Sequence, residues 1–528
     1  MQRLAVILSL VGGFFCLPAQ TAWAQGMISS DEANRAGMIV KWFTQLEGVG
    51  PSELVNLDLV IDEDQSTTFF EVVGGRYSEV LSERDLDPTG KPYTVQEAEN
   101  MAKIRAEVMQ ARLISSGSTD KVQINRFALP KSTIYSISNS GILHAINAES
   151  GKTNWETQVG SRSFPTSGVG GSKKYVAAVN GSTVYCLTAE KGSELWSRRC
   201  VNAVMGPPSV SDTAIFVPLI DGRLQVFQIE GDGHNSQTLI SSGRALYAPT
   251  VSGNFVSWAT DKGMLSVAPI DVMNRINYRL RGESPFLAPA TSKGGMLFCV
   301  TANGYVYAID QVKGRVVWTV SLGERVRQSP VPLGNYLFVV TDDHNLHKYD
   351  ARTGAVAEGW SKPRGDVANF VGAGKDRMYV QNVAGSLVVL DQKSGGQLGI
   401  VPGHGHLNPL VNFTTDRIYL CSTSGVIECL RETAAVAPFF HDDEFAEIAI
   451  AKPSTDSDEA LPMGTDPAET KPGAEPDPFG DNKKPPVSDD PFGEKKTTPT
   501  KPANDDPFGG GTKSGDNPKK GDDPFGGG

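Results

Sequence analysis

Short runs of the chain alternate apolar and polar residues with a period of two. The clearest is Asn303–Trp318, NGYVYAIDQVKGRVVW. Val306 and Ala308 alternate with Tyr305, Tyr307 and Ile309, the signature of a strand with two distinct faces. Asp310 leaves the strand, Gly314 supplies a turn position tolerant of positive φ, and Val316, Val317 and Trp318 open a second strand.

Weaker copies of this unit follow one another. One apolar strand position recurs at Leu143, Val184, Leu224, Leu265, Val306, Leu346, Leu387 and Ile427, at intervals of 41, 40, 41, 41, 40, 41 and 40. Prolines precede the strand at Pro165, Pro208, Pro249, Pro289, Pro330 and Pro409. After the strand comes a glycine and then a tryptophan: Gly151 and Trp155, Gly192 and Trp196, Gly314 and Trp318, Gly354 and Trp360. The last copy lacks its tryptophan. A period of about 40 residues with several short strands per unit predicts a β-propeller, because one four-stranded unit buries both faces only by stacking on its neighbours. The expected fold is all-β: an eight-bladed β-propeller of four-stranded antiparallel blades over 120–437. A segment near Val122–Leu129, or Ala434–Phe440, is expected to close the ring.

Residues 25–119 lack the repeat and read as a small α+β region. Ser30 to Leu46 has helical spacing, with Ala36, Ile39, Val40 and Phe43 near one face. Val55–Ile61 and Thr68–Val73 read as strands. Thr94 to about Leu113 reads as a helix opened by a Thr94/Glu97 capping box, with Ala98, Met101, Ile104, Val108 and Met109 on its buried face. Asp62, Glu63 and Asp64 read as a solvated turn.

Residues 1–24 read as a secretory signal peptide. Arg3 precedes an apolar core from about Leu4 to Leu17, and Ala22-Trp23-Ala24 is a small-x-small cleavage site. Phe14 and Phe15 stand before Cys16 where a lipobox needs small residues. No later stretch is apolar enough to span a bilayer. The mature chain is therefore expected in the periplasm or cell envelope, exported and at most peripheral to a membrane.

The net charge of −11 argues against nucleic acid as a partner, since such binders carry a basic face. Five cysteines remain beyond Cys16, an odd number with no Cys-x-x-Cys, and they read as small buried hydrophobes. His404 and His406 have metal-ligand spacing but no third ligand, and Asp342, Asp343 and His344 read as turn formers. No phosphate loop, zinc-protease helix motif or nucleophile elbow occurs.

Residues 438–528 read as a disordered tail. From Lys452 onward the chain holds 14 of the 33 prolines, with 16 acidic and 10 basic residues, so it carries −6 of the −11 charge. Asp-Pro-Phe-Gly occurs there four times, around Phe479, Phe492, Phe508 and Phe525. The copies read either as an array of linear motifs acting through effective concentration or as low-complexity spacer.

The Ala145-Ile-Asn147…Gly151…Trp155 and Ala308-Ile-Asp310…Gly314…Trp318 patterns resemble the PQQ-type propeller repeat, and the resemblance covers roughly 310 residues. It implies that the tryptophans pack between neighbouring blades. Quinoprotein dehydrogenases of this repeat class hold PQQ and calcium on the axis. No vicinal cysteine pair and no matching acidic set is found here, so no catalytic, cofactor-binding or metal residue is assigned. The resemblance is stronger to the exported, non-catalytic members typified by the BamB subunit of the outer-membrane β-barrel assembly machinery. It implies a scaffold for envelope proteins, with a PQQ-dependent dehydrogenase or a carbohydrate- or small-ligand-binding propeller as alternatives.

Overall fold

The computed structural model describes residues 27–441, apart from 76, 86, 88–90, 232, 233, 273, 404–406, 436 and 437. The signal segment, His404, His406 and the four Asp-Pro-Phe-Gly copies lie outside the described residues. Among the described residues the strands form eight antiparallel sheets, six of four strands, one of five and one of three.

The N-terminal stretch differs from the expected single helix. Ser29 caps a short helix, α1 (Ser30–Arg35), through a capping box with Glu32. Gly37 then turns the chain at φ +75°, and Met38–Gln45 is a strand, β1. The β-branched and aromatic residues Ile39, Val40, Trp42, Phe43 and Thr44 favour the pleated conformation over a helix.

Strand β2 (Leu54–Gly74) continues across both expected strands and is followed by β3 (Tyr77–Ser82), helix α2 (Val95–Ser115) and β4 (Gln123–Ser138). β2 and β4 pair over two lengths separated by an irregularity between Asp62 and Ser66. In the first length Leu54–Asp62 pairs with Lys131–Ser138, and β5 (Ile142–Asn147) and β6 (Thr153–Gln158) complete that sheet. In the second length the β2–β4 pair runs on as an arm with β3 at its edge. α2 packs on this arm through Ala98, Ala102 and Leu113, while Ile104 and Val108, expected in its buried face, are 51% and 53% exposed. The strands before residue 120, β2 and β3, share one sheet with the strands after it, β4, β5 and β6.

β1 joins the early and late parts of the described residues. It pairs antiparallel with Val426–Glu432 and becomes the fourth strand of the eighth sheet, after Asn408–Leu410, Ile418–Cys421 and Val426–Glu432. Neither expected closing segment holds this place. Residues 123–130 lie in the arm, and Phe440 makes only an isolated bridge to Thr415.

Apolar clusters fill the spaces between successive sheets. Tyr135, Ile137 and Leu143 of the first sheet meet Val169, Val176 and Ala178 of the second. Ala177 and Val179, one residue out of phase, meet Ile215 and Val217 of the third. This period-two division, with both faces buried, continues to the seventh and eighth sheets, where Tyr379 and Val389 meet Leu420 and Leu430. A further cluster joins the eighth sheet to the first through Trp42, Tyr419, Ile134 and Ile146. Cys186, Cys200, Cys299, Cys421 and Cys429 are free and buried in these layers. None of the five forms a disulfide.

Candidate functional site

The glycine and tryptophan of one sequence copy do not touch each other; each faces a different neighbour. The Trp155 indole N–H donates to Ala189 O at 3.0 Å, and its ring lies against Gly192, where an added Cβ would sit 2.4 Å away. Trp318 repeats this with Ala351 O at 3.0 Å and Gly354, and Trp360 with Gln392 O at 3.3 Å and Gly395. Trp196 donates to Ile229 O at 3.4 Å. Gly314 lies under Tyr278, whose hydroxyl donates to Gln311 O at 2.8 Å. All four glycines have positive φ, and at Gly192, Gly314 and Gly354 a Cβ would collide with the ring, so backbone freedom and close ring approach are needed together.

Trp42 makes the same contact from β1. Its N–H donates to Ala148 O at 3.2 Å, and Gly151 lies against its ring, with a Cβ position 2.5 Å from it. It is the tryptophan missing from the last repeat copy. Sequence reasoning missed Trp42 and Tyr278. The available signals were a tryptophan in a β-branched run outside the repeat and a last copy that lacked one, far apart in the chain.

The seam between the eighth and first sheets also holds buried charge. Glu149 receives the Lys41 ammonium and the Arg417 guanidinium, the latter at 3.0 Å, and Arg417 reaches Asp416 at 3.1 Å. Burial pushes the Glu149 carboxyl up, but Arg417 and Lys41 outweigh it and hold the group below its ordinary value. Asp416, less well compensated, is pushed by burial up to about 6. Arg431 and Glu71 form a second buried pair at 3.0 Å, tying the arm to the eighth sheet.

The first strands of successive sheets are linked by side chains. Ser209 Oγ donates to Pro249 O, Thr250 Oγ1 to Ala290 O at 2.6 Å, Thr291 Oγ1 to Pro330 O at 2.8 Å, and Gln328 Nε2 to Ala368 O at 2.5 Å. Asn56 exchanges two hydrogen bonds with the Val169 backbone, and Asp58 accepts from Gly171 N. Burial raises Asp58 to about 6, partly offset by that bond. Beside this belt lies a cavity of about 440 Å³, lined without charge by Thr291, Gln328, Asn369, Asn408, Pro409 and Phe413 among others.

In antiparallel sheets of this connectivity, the crossovers between sheets and the second-to-third-strand turns emerge on one face. The first-to-second and third-to-fourth turns, and hence the arm, emerge on the other. On the crossover face Phe164 and Val201 are each 59% exposed, followed in chain order by exposed Ile220 and Tyr247. These residues stand in successive loops around the first four sheets, where exposed apolar surface marks a contact site. On the opposite face Phe440 packs on Phe69, Val80 and Leu129 at the base of the arm, and His441 bonds to Ala373 O at 2.9 Å.

Other candidate residues have structural partners. Asp64 pairs with Lys173 at 3.0 Å, Asp342 pairs with Arg327 at 3.0 Å, and His344 takes φ +62° in its turn. No described helix is long and apolar enough to cross a membrane.

Residues 138–236 and 279–407 match the family described as outer membrane protein assembly factor BamB. The BamB proteins of Yersinia pestis and Shewanella oneidensis are each 24% identical over 304 and 272 residues, covering 53% and 48% of this chain and 67% of their own. The BamB of Moranella endobia is 24% identical over 40% of this chain and 61% of its own. The crystal structure of BamB from Moraxella catarrhalis aligns at 16% identity with a TM-score of 0.48, covering 57% of this chain and 92% of that one.

Proposed function

We propose that this PQQ-type, BamB-like repeat protein is an eight-bladed ring that acts as a non-catalytic scaffold for other proteins of the cell envelope. The eight sheets, the apolar cluster between the eighth and first, and the Trp42 contact support the ring. The signal-like segment 1–24 supports export, and the naming of the relatives as outer-membrane protein assembly factors supports an envelope partner.

The observation that carries the reading is the row of exposed Phe164, Val201, Ile220 and Tyr247 on one face. Loops on a rigid frame can present apolar groups at fixed spacing, and burying each such group against a partner contributes about 1.5–3 kcal/mol before the costs of association. The Asp-Pro-Phe-Gly copies are a second attachment point in this reading, suited to small aromatic-binding pockets on the same or another partner.

Affinity capture of the tagged mature protein from envelope extracts tests this. A specific partner above the mock control is expected, and its yield should fall when residues 452–528 are removed if the motifs contribute. Recovery of nothing above control contradicts the scaffold reading. Addition of PQQ and calcium to the purified protein, followed by a dye-reduction assay, tests the dehydrogenase alternative on the same preparation.

A further inference from the structure

A second cavity, of about 560 Å³, lies between β1 and β3, away from the exposed loops of the crossover face. Its lining includes Trp42, Phe43, Tyr77, Ser150 and Glu428. Phe43 is 59% exposed and Tyr77 is exposed. Glu428, opposite Phe43 in the β1 register, is fully buried.

The polar groups of this cavity are unevenly satisfied. Lys41 and Lys152 also line it, but Lys41 is held by Glu149 and Lys152 by Asp85. Glu79 pairs with Arg105 at 3.4 Å. Glu428 has no cationic partner among the described residues; its carboxylate accepts only the Ile28 backbone N–H, at 3.1 and 3.3 Å. Ser150, 8% exposed, has a buried hydroxyl with no hydrogen-bond partner. A buried carboxylate met by one neutral donor is costly, and a buried unpaired hydroxyl adds to that cost.

We infer that this cavity binds an alkylammonium group, the chemistry of a lysine side chain. An ammonium supplies three donors, enough for Glu428 and for the Ser150 oxygen. Its alkyl stem packs on Phe43 and Tyr77, and the ring faces attract the positive head. An anion would meet the Glu428 charge, and a neutral apolar ligand would leave that charge unpaired. Burial raises the Glu428 carboxyl to about 7, so the anionic form dominates only above that pH. The other charged groups facing the cavity, Lys41, Lys152 and Glu79, are already in ion pairs, and Tyr77 is the remaining titratable group in its lining. Binding therefore strengthens as pH rises through 7 and is lost as it falls.

The test is titration of the full mature protein with Nα-acetyl-lysinamide and n-butylamine, read by calorimetry and by ligand-observed NMR. The controls are the Nε-acetylated lysinamide and n-butanol. The charged probes are expected to bind at least ~10-fold more tightly than their neutral counterparts, and to lose ~10-fold in affinity from pH 8 to pH 6. Glu428→Gln should remove that preference and the pH dependence. Phe43→Ala, a surface change that leaves the seam in place, should weaken binding several-fold. Circular dichroism confirms that both variants are folded. Tighter binding of the lysine probe than of butylamine assigns the site to a peptide-borne lysine, and equal binding assigns it to free amines. Equal affinity for charged and neutral probes overturns the inference, as does an unchanged charge preference in folded Glu428→Gln.

Discussion

Trp42 and Gly151 are 109 positions apart in the chain, yet their contact closes the first sheet onto the eighth. Trp42 fills the layer beneath it and Gly151 removes the side chain that would collide with the ring. Trp42→Ala should therefore cost about 3–5 kcal/mol in urea unfolding, the usual range for a buried tryptophan. Gly151→Ala should cost about 2–3 kcal/mol, because it adds a Cβ in the indole and places alanine at φ +73°. The test is sharp because the two losses are coupled. In a Trp42→Ala background, Gly151→Ala should cost distinctly less, with only its backbone strain left. Full additivity would mean that the ring and the glycine do not share a contact in solution.

At the scale of elements, β1 is the strand on which closure depends. It supplies the fourth strand of the eighth sheet, the ring of Trp42 and the Lys41 charge that meets Glu149. Removing residues 25–45 leaves Glu149 with Arg417 alone and opens the edge of Val426–Glu432. Breaking one partner of a buried ionic cluster typically costs about 3–5 kcal/mol, beyond the lost packing. The truncated protein should melt more than about 10 °C lower than the intact mature chain, with aggregation through the exposed edge. A melting temperature within about 2 °C of the intact chain would show that β1 is dispensable.

The repeat was legible in the sequence because Leu143 to Ile427 mark one strand position at nearly constant spacing. The elements between α1 and α2 were harder to read. Ile39, Val40 and Phe43 fit a helical face as well as a strand, and the partner that decides between them, Val426–Glu432, is almost 400 residues away. The single strand β2 reads in sequence as two, Val55–Ile61 and Thr68–Val73, because Asp62, Glu63 and Asp64 interrupt the apolar pattern, whereas β2 absorbs them as an irregularity. Ile104 and Val108 keep helical spacing in the sequence, but only the arm's position shows that they face outward. The cavity beside Glu428 left no local signature, since its walls come from β1, β3, the β5–β6 turn and the eighth sheet.

At the scale of the molecule, a frame of similar sheets separates stability from recognition. The glycine–aromatic contacts and the side-chain links between first strands repeat around the structure, while the loops between them are free to vary. That division makes the two faces distinguishable by experiment. Site-specific photocrosslinking in the producing cell, with a photoreactive residue at Phe164 or Tyr247 on the crossover face and at Val312 in an exposed turn of the opposite face, compares them directly. The scaffold reading predicts discrete protein adducts from Phe164 and Tyr247 and none from Val312. Adducts from Val312 alone, or none from any position in a folded and exported protein, would contradict it.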